Sequence, residues 1–441
     1  MSFRQNPSLK RGMIPAAALA TLSLTAWAVE PTRSDSTWPQ WRGVSQDGVA
    51  IAGEYPMRWS EASVAFKAPV AGLGGSTPVV AGDRAYLTSG VDGQNTLMAL
   101  SIEDGNVEWQ LELGDDKGNK HRKGSGSNPS PVTDGEHVVA YYRSGDLACV
   151  SADGRKQWHI NLQKEFGEDT LWWDLGSSPL LVDGMVVIAV MQTGPSYVVA
   201  YDMESGKQVW KTDRQLNAPE EAAQSYATPL AVTVNGESCI AVMGADHLTL
   251  HHASDGKTIG TLGGFNPNGE RFFRSIASPV AAANLIVCPY ARGATVTVVD
   301  MEQLAAGAVT EAIVWFRDDL GSDVPTPTIH GDTVIFVEDG KPAKGSVIGV
   351  SIQTGETQWT VEQPRSRHGY SSSPLVADDR VYVTGEDGRV CVIGPLSSAN
   401  PELLATNDLD DDDLYTVASP VPVDGGFLLR TRHFLYRINA R

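Results

Sequence analysis

The sequence predicts an all-β chain, folded as an eight-bladed β-propeller of four-stranded antiparallel blades and closed by an N-terminal strand. Three observations lead there. Ser/Thr-Pro dipeptides recur with prolines at 78, 131, 179, 229, 279, 327, 374 and 420, spaced 46 to 53 residues apart. A period near 50 that holds only short strands marks a propeller or array, since one unit cannot bury its own apolar face. Within each period the residues alternate as strands do, as in Arg380-Val381-Tyr382-Val383-Thr384. Asp134-Gly135, Asp183-Gly184 and Gly331-Asp332 mark the turns between them, and four strands per period make a blade. The last period begins at Ser419-Pro420 and stops at Arg441, with room for three strands. The segment 64–70 (VAFKAPV) supplies the fourth, which removes the free edges of an open array.

Taken in order, residues 1–28 have the form of a secretory signal. Arg4, Lys10 and Arg11 precede a short apolar stretch, and Ala26-Trp27-Ala28 offers a cleavage site. The apolar stretch is shorter than the ~20 residues a membrane span needs. A linker is expected over 29–37 and the propeller over 38–441, opening with Trp38-Pro39-Gln40-Trp41-Arg42-Gly43. The expected location is the periplasm or the exterior, with no integral membrane segment after cleavage. The chain has 44 glycines and 25 prolines, which suit many turns, and a formal charge of −19. With no block of Lys and Arg, nucleic-acid binding is excluded. Cys149, Cys239, Cys288 and Cys391 fall in different periods, within or beside apolar strands. Neighbouring sheets stand about 10 Å apart, too far for most disulfides, so free buried thiols are expected.

A closing motif also recurs. Residues 99–109, 200–210 and 349–359 share a small residue, a Gly six on and a Trp ten on. Residues 149–158 are one shorter, and the fifth period stretches the motif between Asp300 and Trp315. The fourth period has Gly260 in place of the Trp, the seventh lacks it, and Phe66 takes the place in the closing strand. The form Ala-x-Asp-x-x-x-Gly-x-x-x-Trp at 200–210 resembles the docking motif of the pyrroloquinoline quinone (PQQ) repeat superfamily of quinoprotein-like propellers, in its exported non-enzymatic type. The resemblance implies that Trp109, Trp158, Trp210, Trp315 and Trp359 pack between adjacent blades.

Chemistry in a propeller gathers at the axial channel, where the segments entering the innermost strands meet. The candidate ligand-binding rim is Trp173, Asp174, Gln224, Tyr226, Arg274, His368 and Tyr415, with Trp172, Arg271, Asp323, Arg367 and Tyr370 beside it. Arg274 suits a carboxylate and the aromatics suit a ring. The alternative is an Asp–Arg bridge with ordered water. Trp172 and Trp173 suit stacking on sugars, or packing of one under its own loop. The run Asp408, Asp410, Asp411, Asp412, Asp413 fails as an EF-hand, because Ser419 stands where a bidentate Glu is needed. It is expected to be a solvated loop. Hydrolase-elbow, phosphate-loop, dinucleotide and His-Glu-x-x-His signatures are missing. The adjacent cysteines and metal-binding set of the quinoprotein dehydrogenases are missing too. The expectation is therefore an exported, non-catalytic scaffold with no catalytic residues, no metal and no cofactor. It would bind a protein or a small polar ligand at the axis. A divergent PQQ-dependent dehydrogenase using Asp174, Gln224 and Arg274, and a carbohydrate-binding module, are the alternatives.

Overall fold

The computed structural model describes residues 37–339, 345–364, 368–409 and 413–440. The signal and most of the linker, Arg367, and Asp410, Asp411 and Asp412 lie outside the described residues. The strands form eight antiparallel sheets arranged as an eight-bladed propeller. Seven sheets have four strands and one has five: the blade with inner strand Val79–Ala81, here blade 1, gains Thr37–Trp38 on its axial side. Blade 8 is composite. Val64–Pro69 pairs antiparallel with Phe434–Asn439, setting Phe66 opposite Arg437. An early strand and the last strand of the described chain are thereby hydrogen-bonded into one sheet.

The Ser/Thr-Pro signal has a physical cause. The residue before each proline hydrogen-bonds to its counterpart in the next blade. Thr77 N–H donates to Ser130 Oγ, Ser130 to Ser178, Ser178 to Thr228, and Thr228 to Ser278. Ser278 donates to Thr326, Thr326 to Ser373, Ser373 to Ser419, and Ser419 back to Thr77. All eight bonds measure 2.9–3.0 Å. A hydroxyl both satisfies a buried amide and ties neighbouring blades, so Ser or Thr is needed at every turn of the ring. Proline follows because its position lacks a ladder partner on the axial edge and its fixed φ starts the strand. Each such bond contributes about 1 kcal/mol net.

Outside the ring, the blades are joined by aromatic side chains. Trp109, Trp158, Trp210 and Trp315 each donate their indole N–H to a backbone carbonyl of the next blade, at Ala152, Met203, Ala253 and Ile352. A glycine of that same turn lies flat on each ring. A Cβ on Gly206, for instance, would sit 2.6 Å from the Trp158 ring, and the turn has φ +65°. Glycine is thus required twice, by contact and by conformation. Phe66 meets Gly105 in the same way but has no N–H to give; Arg437 Nη1 instead donates to Ile102 O at 2.6 Å. Where Gly260 replaces tryptophan, the short helix Met301–Ala305 lowers Leu304 onto it. Asp300 caps this helix, accepting from the backbone of Glu302 and Gln303. Trp359 is buried in a cluster with Leu396 of blade 7. All four cysteines are buried free thiols.

Candidate functional site: the two ends of the axial channel

The ring of hydroxyls divides the channel into two ends. One is filled by residues 37–50. Pro39 O accepts from Thr133 N–H, and Gln40 Oε1 from Leu181 N–H. Arg42 donates to Pro327 O and Pro374 O. Gln46 donates to Pro229 O and accepts from Ala231 N–H. Gly48 O accepts from Val376 N–H. With the Thr37–Ala81 pairing, this one segment reaches the inner strands of blades 1, 2, 3, 4, 6 and 7. Arg42 is 3% exposed. Burial draws its pKa down to about 10, with Asp47 acting in the opposite sense. The opening Trp-Pro-Gln-Trp-Arg-Gly is thus a plug, a role its sequence does not announce.

The other end carries the candidate rim. A strap, residues 116–126, links the outer strand of blade 1 to the inner strand of blade 2. Lys120 and His121 donate their backbone N–H groups to the two carboxylate oxygens of Asp174, at 2.6 and 2.8 Å. Lys123 Nζ pairs with Glu386 of blade 7, and Arg122 O accepts from Arg432 of blade 8. Asp174 enters blade 3 and Glu386 stands on blade 7, nearly opposite in a ring of eight. Four consecutive residues touch both, so the strap crosses the mouth. Gly124 permits this, since a Cβ there would lie 2.4 Å from Asp174 Oδ2. Burial pushes Glu386 up, but bonds from Lys123 and Ser371 outweigh it and leave its pKa below the usual value.

Of the rim residues read from the sequence, Trp173, Gln224, Tyr226 and Arg274 come together in one network on blades 3 to 5. Trp172 N–H and Tyr226 O–H both donate to Gln224 Oε1, and Trp173 N–H donates to Tyr226 Oη. Trp173 Nε1 donates to Glu221 at 2.6 Å. Arg274 pairs with Asp323 at 2.9 Å and lies 3.6 Å from Glu221; the Asp–Arg bridge of this rim therefore uses Asp323, while Asp174 turns to the strap. Asp339 backs the network, accepting from the N–H groups of Asp323 and Val324, and burial raises its pKa to about 6. Tyr415 lies on the opposite wall, under the Arg432 guanidinium at 4.5 Å. His368 is exposed on the loop entering blade 7. Glu221, Asp339, Glu386 and the strap lysines escape sequence reasoning, because they sit in loops of unequal length that the repeat does not align. A short basic run, Lys120-His121-Arg122-Lys123, is the sequence signal by which the strap could have been found.

Outside this network lies an exposed aromatic cluster. Trp172, Trp173 and Phe272 are 44%, 42% and 49% exposed. Trp172 and Phe272 rings are 6.5 Å apart, and His121 meets Trp173 edge-on at 5.5 Å. Arg271 stacks on Phe272 and pairs with Glu220. Among the described residues, no three His, Cys, Asp or Glu side chains gather to hold a metal ion, and no helix is long and apolar enough to cross a membrane.

Known structures share this architecture. BamB from Moraxella catarrhalis aligns at TM-score 0.52 and 15% identity, covering 80% of this chain and 96% of that one. A quinohemoprotein alcohol dehydrogenase from Pseudomonas putida HK5 aligns at TM-score 0.64 and 13% identity, covering 92% and 80%. A europium-containing methanol dehydrogenase aligns at 0.62 and 11%, covering 88% and 87%. At such identities the likeness is one of fold. No curated protein matches the sequence. The family described as outer membrane protein assembly factor BamB matches residues 25–259 and 245–400, and the chain belongs to that family of PQQ-like propellers.

Proposed function

We propose that the protein is an exported, non-catalytic propeller scaffold that docks a protein partner on its loop face, with Trp172, Trp173 and Phe272 at the centre of the contact. The observation that carries this is the exposed aromatic cluster, held on a hydrogen-bonded base of Gln224, Tyr226 and Glu221. Rigid aromatics rimmed by charge are the composition of interface hot spots, and an exposed apolar patch of this kind marks an interaction surface. The family's description as an assembly factor fits a protein partner and a place at the cell envelope.

The same geometry weighs against a quinone dehydrogenase. Asp174, Asp323 and Glu386 already accept from the strap backbone, from Arg274 and from Lys123. The plug and the strap occupy the two channel ends. This donor set does not suit a calcium-bound PQQ. The purified protein, given PQQ and Ca²⁺, is expected to reduce no dye with alcohols or sugars; turnover, or saturable PQQ binding, would overturn the non-catalytic reading. For the docking face, a photo-crosslinking amino acid at Phe272 should give a protein adduct of discrete mass in the native host. The same group at Val309 should not, and a blank at both positions contradicts the proposal. A carbohydrate-binding reading rests on the paired exposure of Trp172 and Trp173; a glycan array on which wild type and Trp173→Ala are equally silent ends it.

A further inference from the structure

The geometry points to a second binding site on the far wall of the rim: a crevice between blades 8, 1 and 2 that takes a small oxyanion, a carboxylate or a phosphate group, held by Lys123, Tyr415 and Arg432. The crevice is lined by Gly74 and Gly75 from the loop entering blade 1, by Lys123 and Ser125 from the strap, and by Tyr415 and Arg432 from blade 8, with Arg430 also lining it. It lies across the mouth from the aromatic cluster and does not depend on the docking proposal.

Three observations give it an anion's chemistry. First, the cations converge. Lys123, Arg430 and Arg432 all line one crevice in a chain of net charge −19, and Glu386 pairs with Lys123. Three cations beside one carboxylate leave an excess of positive charge, which concentrates counter-charge in a concave site. Second, donors there are unspent. The Tyr415 hydroxyl is buried without a hydrogen-bond partner, and so is Arg430 Nε. Arg430 is 1% exposed, and its other nitrogens are anchored on Ser76 and Thr88. Buried donors are nearly always paired, and an oxyanion supplies the acceptor that the protein does not. Third, the glycines fit the wall to its cation. A Cβ on Gly74 would sit 2.1 Å from Arg430 Nη2, and one on Gly75 would sit 2.8 Å from Asn128 Oδ1. Bare backbone there lets the loop pack against the guanidinium and hold it in the crevice wall. The Arg274 wall differs in charge, because its guanidinium faces two carboxylates, Asp323 and Glu221.

The test is thermal unfolding of the purified protein, titrated separately with sodium phosphate and with sodium acetate, at ionic strength held constant with sodium chloride. A ligand that binds the native state raises the midpoint saturably. A rise with phosphate assigns a phosphate group as the natural ligand head, and a rise with acetate assigns a carboxylate. Arg432→Gln, read against its own ligand-free midpoint, should move half-saturation about tenfold, the loss of one charge-assisted contact. Tyr415→Phe, which keeps the ring, should move it by a smaller factor. Arg155→Gln, at an exposed turn of blade 2, should leave it unchanged. No saturable rise over chloride with either salt, or identical curves for wild type and Arg432→Gln, would overturn the site.

Discussion

The two ends of the channel are built from the same eight inner strands and are finished in different ways. At the plug end, one continuous segment supplies Gln40, Arg42 and Gln46, all buried and hydrogen-bonded to carbonyls and N–H groups of the inner strands, with Trp38 Nε1 and Arg42 Nε left without partners. At the loop end, Arg274 and Tyr415 also keep buried polar atoms without partners, but acids and bases pair across loops, and two tryptophans and a phenylalanine face solvent. The difference lies in what each end presents, side chains matched to backbone at one and ion pairs with exposed aromatics at the other. One segment of chain closes one end, and the loops that differ from blade to blade are left at the other.

The largest effect expected comes from breaking the plug. Arg42→Met leaves Pro327 O and Pro374 O buried without their donor, at a cost of about 3 kcal/mol or more. Urea denaturation should show this as a lower midpoint with an unchanged slope. Next comes the ring that both ends share. Thr326→Val keeps the shape but leaves the Ser278 N–H without its acceptor, costing about 1–3 kcal/mol.

A pH dependence separates the ends further. The folded pKa of Asp339 stands at about 6, above the ordinary carboxylate value, because the group is buried. The native state therefore holds a proton that the unfolded chain has released. The associated stability is full below the ordinary value and is lost as pH rises through about 6. Denaturation at pH 4.5 and pH 7 should show a difference that shrinks in Asp339→Asn. Smallest of all, Trp172→Ala should change stability by no more than about 0.5 kcal/mol while abolishing the adduct formed by the crosslinking residue at position 272. A larger loss of stability would make the cluster a packing element of the loop end and not a docking face.

The fold was legible because its cause repeats. Each Ser or Thr before a proline is a bond in a closed ring, and each closing tryptophan is a bond to the next blade, so the chain states its own period. Phe66 was legible as the missing tryptophan of blade 8; Arg437, which makes the bond Phe66 cannot, was not, since nothing in sequence places it beside Ile102. The absence of tryptophan at Gly260 could be read, but the helix that lowers Leu304 into the gap could not. The rim was half legible. Position relative to the proline brought out Gln224, Tyr226 and Arg274, which the fold brings together. It could not tell that Asp174 turns to the strap, or that Glu221 and Asp323 hold Arg274, because those partners depend on how unrepeated loops cross.

The claim on which the rest depends is that the channel is shut at one end by residues 37–50 and crossed at the other by residues 116–126. Hydrogen exchange of the native protein measures this directly. The amides of Gly48 and Ala50 in the plug, and of Lys120 and His121 in the strap, all donate to buried acceptors. They are expected to exchange slowly, the plug amides as slowly as the inner strands. Exchange of both segments as fast as that of exposed turns would mean an open channel, and would contradict the account.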